Sequence, residues 1–446
     1  MAQKLDRRSL LKVGASAGVA MSATALAQTT TKAANDRSVV RIGVVGTGGR
    51  GTGLMQTLLK LNGVEVPAVC DVNEASLKQA QDIVAAAGRK RPDGYGDGPL
   101  AYQKLCERDD LHAVLITTPW ELHTPVAIHA MQAGKYPAVE VPAAVTIEEC
   151  WALVNTSEQT GVPCMMLENW SFRRDNLAVL NMIRKGLLGT MVHCHCAHSH
   201  DCIDHWFFDR QGNDRWPARY LINHNRDQYP THSLGPVLSW LDINCGDVFG
   251  YLTATATDSR AINEYFARKF GPAHPSAKRK YAQGDIVTSV VRTKRGKSIA
   301  INYDMQLPRP YDNRWMVQGT LGIYNEQGSL VYLSGISPKY HEWESFAPYQ
   351  KEYDHTLWKS LQSDIGDLGH GGTDYIELQE FVKAVRAKTQ TPIDVYDSVT
   401  MCCIIGLSEL SIARGSAPVE CPDFTRGKWQ TRKPTFAADP DYPPRA

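Results

Sequence analysis

The feature that most constrains this chain is a glycine loop placed where an apolar strand must turn into a helix. Val39-Val40-Arg41-Ile42-Gly43-Val44-Val45 runs directly into Gly46-Thr47-Gly48-Gly49-Arg50-Gly51, a G-x-G-x-x-G pattern, and a helical pattern follows over 50–61. A second strand, 64–70, ends at Asp71, twenty residues past Gly51. Each piece has a physical use. Gly46 permits the tight turn, Gly48 lets the backbone approach a diphosphate, and Gly51 allows close helix–strand contact. Gly49 and Arg50 open the helix, whose free N–H groups and positive dipole end face the phosphates. Asp71 is placed to accept hydrogen bonds from ribose hydroxyls, and Val72 and Asn73 follow it where an arginine would select a 2′-phosphate. The expected cofactor is therefore NAD rather than NADP. The alternative is a domain of this fold that carries no nucleotide.

The alternation continues. Strands are expected at 112–118, 138–141 and 162–167, with a helix opening at Pro119-Trp120-Glu121-Leu122-His123 and another over 146–161. Strand–helix alternation predicts an α/β domain with a doubly wound parallel sheet. After Asn169 the pattern changes. A helix over 176–186 precedes alternating strands near 190–200, 250–258, 285–293, 298–305 and 314–318, with helices at 233–241, 374–388 and 398–414. This predicts a C-terminal α+β domain with a mainly antiparallel open sheet. The expected division is a nucleotide domain over 38–168 and a substrate domain over 169–446, with the ligand in the cleft beyond the parallel strands' carboxyl ends.

The first 27 residues stand apart. Asp6-Arg7-Arg8-Ser9-Leu10-Leu11-Lys12 precedes a weakly apolar run and Ala25-Leu26-Ala27, which reads as a twin-arginine export signal over 1–27 with a spacer over 28–37. A periplasmic or secreted protein with no membrane insertion after cleavage is expected. The plain alternative is a basic N-terminal tail. A net charge of +1 gives no reason to expect nucleic acid or an anionic membrane as partner. The eleven cysteines show no CxxC pair, and most are expected as small buried apolar residues.

At this point the motifs resemble a known group. The two-domain plan is similar to the Gfo/Idh/MocA oxidoreductase superfamily, whose members usually carry Glu-Lys-Pro after the fifth strand with a catalytic lysine. Here the triplet is Glu140-Val141-Pro142. Thr118-Pro119-Trp120-Glu121-Leu122-His123, Glu140-Val141-Pro142-Ala143-Ala144, Met165-Met166-Leu167-Glu168-Asn169, Tyr229-Pro230-Thr231-His232-Ser233-Leu234-Gly235-Pro236, Pro308-Arg309-Pro310-Tyr311 and Gly369-His370-Gly371-Gly372 resemble glycoside hydrolase family 109, over about residues 40 to 415. That resemblance implies an enzyme that uses tightly bound NAD to hydrolyse N-acetylgalactosaminides without net redox change. The implied route is transient oxidation at C3 of the sugar, loss of the C2 proton, elimination at C1, water addition and re-reduction. It implies that Thr118, Trp120, His123, Glu140 and Asn169 join the glycine loop and Asp71 around the cofactor, and that Tyr229, His232 and Tyr311 surround the reacting carbons, with Arg219 as the substrate-binding arginine. Pairing of copies through the open sheet, a homo-oligomer, is implied as well. One departure is Phe172, where a tyrosine is common; the expectation is a lost hydroxyl near the cofactor.

Such chemistry needs a base that titrates near working pH, which histidine offers, and donors for a developing oxyanion, which tyrosines offer. His232 and Tyr311 are the candidates, with their roles open. Without the resemblance His232 reads as a helix-capping or core residue and the tyrosines as packing residues. His193, Cys194, His195, Cys196, His198, His200, Cys202 and His205 look like metal ligands, but alternate residues of a strand face opposite ways and no zinc spacing is present, so no metal site is expected. The expected reading is sheet core with a cleft-facing His200-Asp201. Two other functions stay open: a sugar or cyclitol dehydrogenase that consumes NAD, against which the missing lysine counts, and a non-catalytic protein that binds NAD and sugar.

Overall fold

The computed structural model describes residues 38–361 and 369–443; the export signal and spacer lie outside the described residues. The first sheet has six parallel strands, β1 (Val40–Val45), β2 (Val64–Cys70), β3 (Asp93–Tyr95), β4 (Ala113–Ile116), β5 (Tyr136–Glu140) and β6 (Met165–Leu167), in the order β3-β2-β1-β4-β5-β6. Helices α1 (Gly49–Leu59), α2 (Glu74–Ala86), α3 (Ala101–Cys106), α4 (Trp120–Gln132) and α5 (Ile147–Thr160) connect them. The strand order reverses between β1 and β4, so the glycine loop after β1 and Thr117-Thr118 after β4 flank one crevice. The short β3 and α3 were not expected, because Asp-Gly-Tyr carries no apolar run. At the far end of the domain, α5 begins with a capping box between Thr146 and Glu149 and stops at Gly161 in the left-handed conformation.

The second sheet has nine strands. β7 (Met191–Ser199), β8 (Phe249–Ala256), β9 (Val287–Thr293), β10 (Ser298–Asp304) and β11 (Met316–Gly319) fall where the alternation placed them. β12 (Gly322–Asn325), β13 (Leu330–Leu333), β14 (Glu344–Ser345) and β15 (Val419–Glu420) extend the edges and are too short to show a pattern. The order is β14-β13-β12-β11-β7-β10-β9-β8-β15, antiparallel throughout except for the central pair β7 and β10, which run parallel from His193 beside Ser298 to Ser199 beside Asp304.

Alternation along β7 separates two environments. Cys194 and Cys196 are fully buried, while His193 and His195 sit on the other face, where His193 bonds to the Ser298 hydroxyl and His195 to Asn302, both at 2.8 Å. These histidines serve the sheet. The buried face is covered by helices, among them α6 (Pro230–Trp240) and α7 (Val395–Ala413). Nineteen residues of α7, capped by Asp394, pack on α5, α6 and β8, so one apolar helix seals both domains. The packing fixes how the crevice meets the second sheet.

Candidate active site

The crevice opens into a cleft of about 890 Å³, walled on one side by Gly46, Gly48, Gly49, Arg50 and Asp71 and on the other by His198, Tyr229, His232 and Tyr311. Its nucleotide end fits a dinucleotide residue by residue. Gly46 has φ +89°, and a Cβ there would lie 2.7 Å from the Thr117 carbonyl. A Cβ on Gly51 would lie 2.0 Å from the Gly46 oxygen, whereas Cβ atoms on Gly48 or Gly49 would meet nothing within 4 Å. The first two glycines close the turn; the other two keep space for a ligand. Asp71 is held at the strand end by the Thr47 N–H (2.7 Å) and the Asn73 N–H (2.8 Å).

Arg50, on the first turn of α1, ties this end together. Its guanidinium binds Glu140 through Nε and Asp374 through Nη1 (2.6 Å), and His370 bonds the same Asp374 at 3.0 Å. Burial works against the Asp374 carboxylate, but His370 and Arg50 outweigh it and hold its pKa below the ordinary range. His370 reaches this place because residues 369–372 all have positive φ, which three glycines tolerate. Asn169 donates to Asp374 at 2.9 Å and is not part of the cleft wall. His123 lies between the Pro142 and Thr118 carbonyls at 2.8 and 2.7 Å, so it braces the cleft floor and leaves no ring nitrogen for a ligand. Thr118 does line the cleft, with its buried hydroxyl lacking a hydrogen-bond partner among the described residues. Trp120 packs against Trp206, Trp216, Tyr220 and Tyr229.

At the other end, Tyr229 caps α6 and Pro230 occupies its first turn, so His232 projects from the first turn into the cleft. Its Nδ1 lies 2.8 Å from Oε2 of Glu168, whose side chain is fully buried and whose Oε1 accepts the Trp170 N–H at 3.1 Å. Burial lowers His232 to about 3 and raises Glu168 well above the usual carboxylate range. Both groups are thus driven toward their uncharged forms. His198 stacks on Tyr229 with ring centroids 4.9 Å apart and faces His232 at 5.1 Å; burial lowers its pKa too, and its Nδ1 has no partner among the described residues. Desolvation raises the phenols of Tyr229 and Tyr311, although part of the Tyr311 ring faces solvent, so both hydroxyls stay protonated.

Two further expectations change, beside those for Asn169 and His123. Arg219 pairs with Glu121 and lies over the Tyr220 ring, outside the cleft wall; besides Arg50, Arg215 lines the cleft. Phe172 is fully buried against Phe436, with ring centroids 5.1 Å apart, so a hydroxyl there would face the core rather than a cofactor. Glu168, His198 and His370 were given no role from sequence. Glu168 had a signal, an acid at the end of a strand in a matched motif. His198 had none, being one histidine of several.

The sequence relationships agree with this geometry. Residues 40–168 match the Gfo/Idh/MocA oxidoreductase family, an NAD-binding Rossmann fold, and residues 172–431 match the glycosyl hydrolase 109 C-terminal domain. An alpha-N-acetylgalactosaminidase of Tannerella forsythia is 40% identical over 417 residues, covering 90% of this chain and 89% of that protein. A glycosyl hydrolase family 109 protein of Stenotrophomonas maltophilia is 39% identical over 445 residues, covering 96% and 98%. Among solved structures, an oxidoreductase domain protein from Kribbella flavida superposes with a TM-score of 0.64 at 16% identity, covering 86% of this chain and all of that one. A levoglucosan dehydrogenase complex superposes at 0.65 and 18% identity, with 86% and 100% covered; both share the fold. The nucleotide domain, the matched C-terminal domain and the cleft between them place this chain in glycosyl hydrolase family 109, an NAD-dependent glycosidase.

Proposed function

We propose that the protein cleaves α-N-acetylgalactosaminides by an elimination route with no net redox change, using tightly held NAD after export to the periplasm. The observation that carries this reading is His232 at the wall of a cleft shared with the glycine loop, backed by the buried Glu168 at 2.8 Å. The Tannerella forsythia relative supports the sugar. Bound NAD supplies a reversible hydride acceptor for C3 of the sugar; Gly46 to Gly51, Asp71 and Thr118 are the residues that would hold it.

The protein's own part is proton handling. A C3 carbonyl makes the C2 proton acidic, and His232 Nε2 takes it. The step starts from the Glu168 carboxylate with the ring proton on Nδ1; as Nε2 gains the C2 proton, the Nδ1 proton passes to Glu168, and the pair goes from one negative charge to none. Burial favours that outcome, because the raised Glu168 sets the basicity of the pair nearer to neutrality than an isolated buried imidazole would have. Tyr311 and Tyr229 keep their protons and are suited to donate to the oxyanion at C3. Facing carboxylates of the ordinary glycosidase kind are not needed.

The test uses mature protein with no added nucleotide and an aryl α-N-acetylgalactosaminide in deuterated water. Many turnovers per bound NAD, with deuterium at C2 of the released sugar, are expected. Release without C2 exchange would rule out elimination, and net NADH accumulation would point to the dehydrogenase.

A further inference from the structure

Beyond the end of β7 the chain makes a turn with consequences of its own. His200 and Cys202 follow the strand, and a π-type turn over Ile203–Phe207 brings His205 back toward them. The ligand-capable atoms of His200, Cys202 and His205 all lie within 4.8 Å of one another. Their backbones are anchored: the His200 N–H donates to Asp304 (2.8 Å), the Cys202 N–H donates to Met305 (3.1 Å), and Arg215 donates to the His205 carbonyl. All three residues line the same cleft, and the His200 ring lies 5.0 Å from that of Tyr311.

We infer that His200, Cys202 and His205 form a zinc site facing the substrate cleft. Two imidazoles and one thiolate are a borderline-soft donor set that suits Zn²⁺ over Mg²⁺ or Ca²⁺. With bonds of about 2.0–2.3 Å, tetrahedral ligands sit about 3.3–3.7 Å apart, so rotamer adjustment of roughly 1 Å closes the site. Three protein ligands leave a fourth position open to water or to an oxygen of whatever fills the cleft. On binding, the Cys202 thiol releases its proton to solvent and the sulfur bonds the ion, with no change of oxidation state. Asp204, with an oxygen 3.9 Å from His205 Nδ1, is in range to steady that ring. The inference holds whichever sugar the enzyme takes.

Untagged holoenzyme, stripped with a chelator and titrated with Zn²⁺ against a chromophoric competitor, tests it. One ion per chain is expected, with affinity weakened roughly tenfold or more in both Cys202→Ser and His205→Ala. Substituting Co²⁺ should give a thiolate-to-metal absorption band that Cys202→Ser abolishes. Bound-NAD content serves as the folding control, and exposed His205 gives a variant that leaves the core intact. No uptake by wild type, or the same affinity in wild type and in the folded variants, overturns the site.

Discussion

His232 Nδ1 and Glu168 Oε2 lie 2.8 Å apart, joining the first turn of α6 to the residue that follows β6. The carboxyl end of the nucleotide sheet thereby orients a side chain of the second domain. If His232 moves the C2 proton, His232→Ala should retain NAD and the fold but lose kcat by about 10²–10⁴-fold. Steady-state kinetics together with nucleotide content of the purified protein check this; a fully active variant removes His232 from the reaction.

Glu168 acts through His232 and is a positioning residue. Glu168→Gln keeps the shape, but an amide can donate to Nδ1 and leave the ring proton on Nε2, where it blocks the base. The expected loss in kcat is about 10²–10⁴-fold, with KM and bound NAD little changed. A variant that loses KM and kcat together would show a structural role instead.

The same pair sets a pH signature in stability. Glu168 is raised above its ordinary 4.5, so its contribution is full below that pH and is lost as pH rises through the folded value. His232 is lowered from 6.5 to about 3, so its contribution is full above pH 6.5 and is lost as pH falls toward 3. Between 4.5 and 6.5 the two slopes oppose each other. Glu168→Gln removes one of them, so its stability relative to wild type should rise with pH across that window, by at most about 1.4 kcal/mol per pH unit. Thermal melts at half-unit steps read this directly, and a constant offset would defeat it.

Two glycines of one loop should separate folding from cofactor binding. Gly51→Ala drives a Cβ into the Gly46 carbonyl and should cost about 2 kcal/mol or more, seen as a lower Tm. Gly48→Ala meets only open space and its φ of −66° suits alanine, so Tm of the apoprotein should hold while NAD content falls. Equal losses of Tm in the two variants would mean that the space beside Gly48 serves folding rather than a ligand.

Much of this was legible in the sequence because it is local. A strand, a glycine turn and an acid twenty residues on specify the β1–α1–β2 unit and the location of Asp71. The alternation in 190–200 likewise separates the buried Cys194 and Cys196 from His193 and His195. What stayed hidden depends on contacts across the chain. The Glu168–His232 pair spans 64 positions, and Arg50 meets Asp374 across 324. His205 returns to His200 through a π-type turn that period-two spacing could not foresee. Arg219 misleads for the opposite reason: it lies only four positions beyond Arg215, but it falls in the first turn of the short helix Ala218–Asn223 and pairs there with Glu121 instead of lining the cleft.

All eleven cysteines are free thiols, and ten of them are buried. The finished fold has no disulfide to lose, so reductant should leave it untouched. The unfinished chain is another matter. Eleven exposed thiols in an oxidant would pair at random faster than a parallel sheet with distant contacts can form. Such a chain gains from completing its fold under reducing conditions, after which its own packing shields the sulfurs wherever it goes.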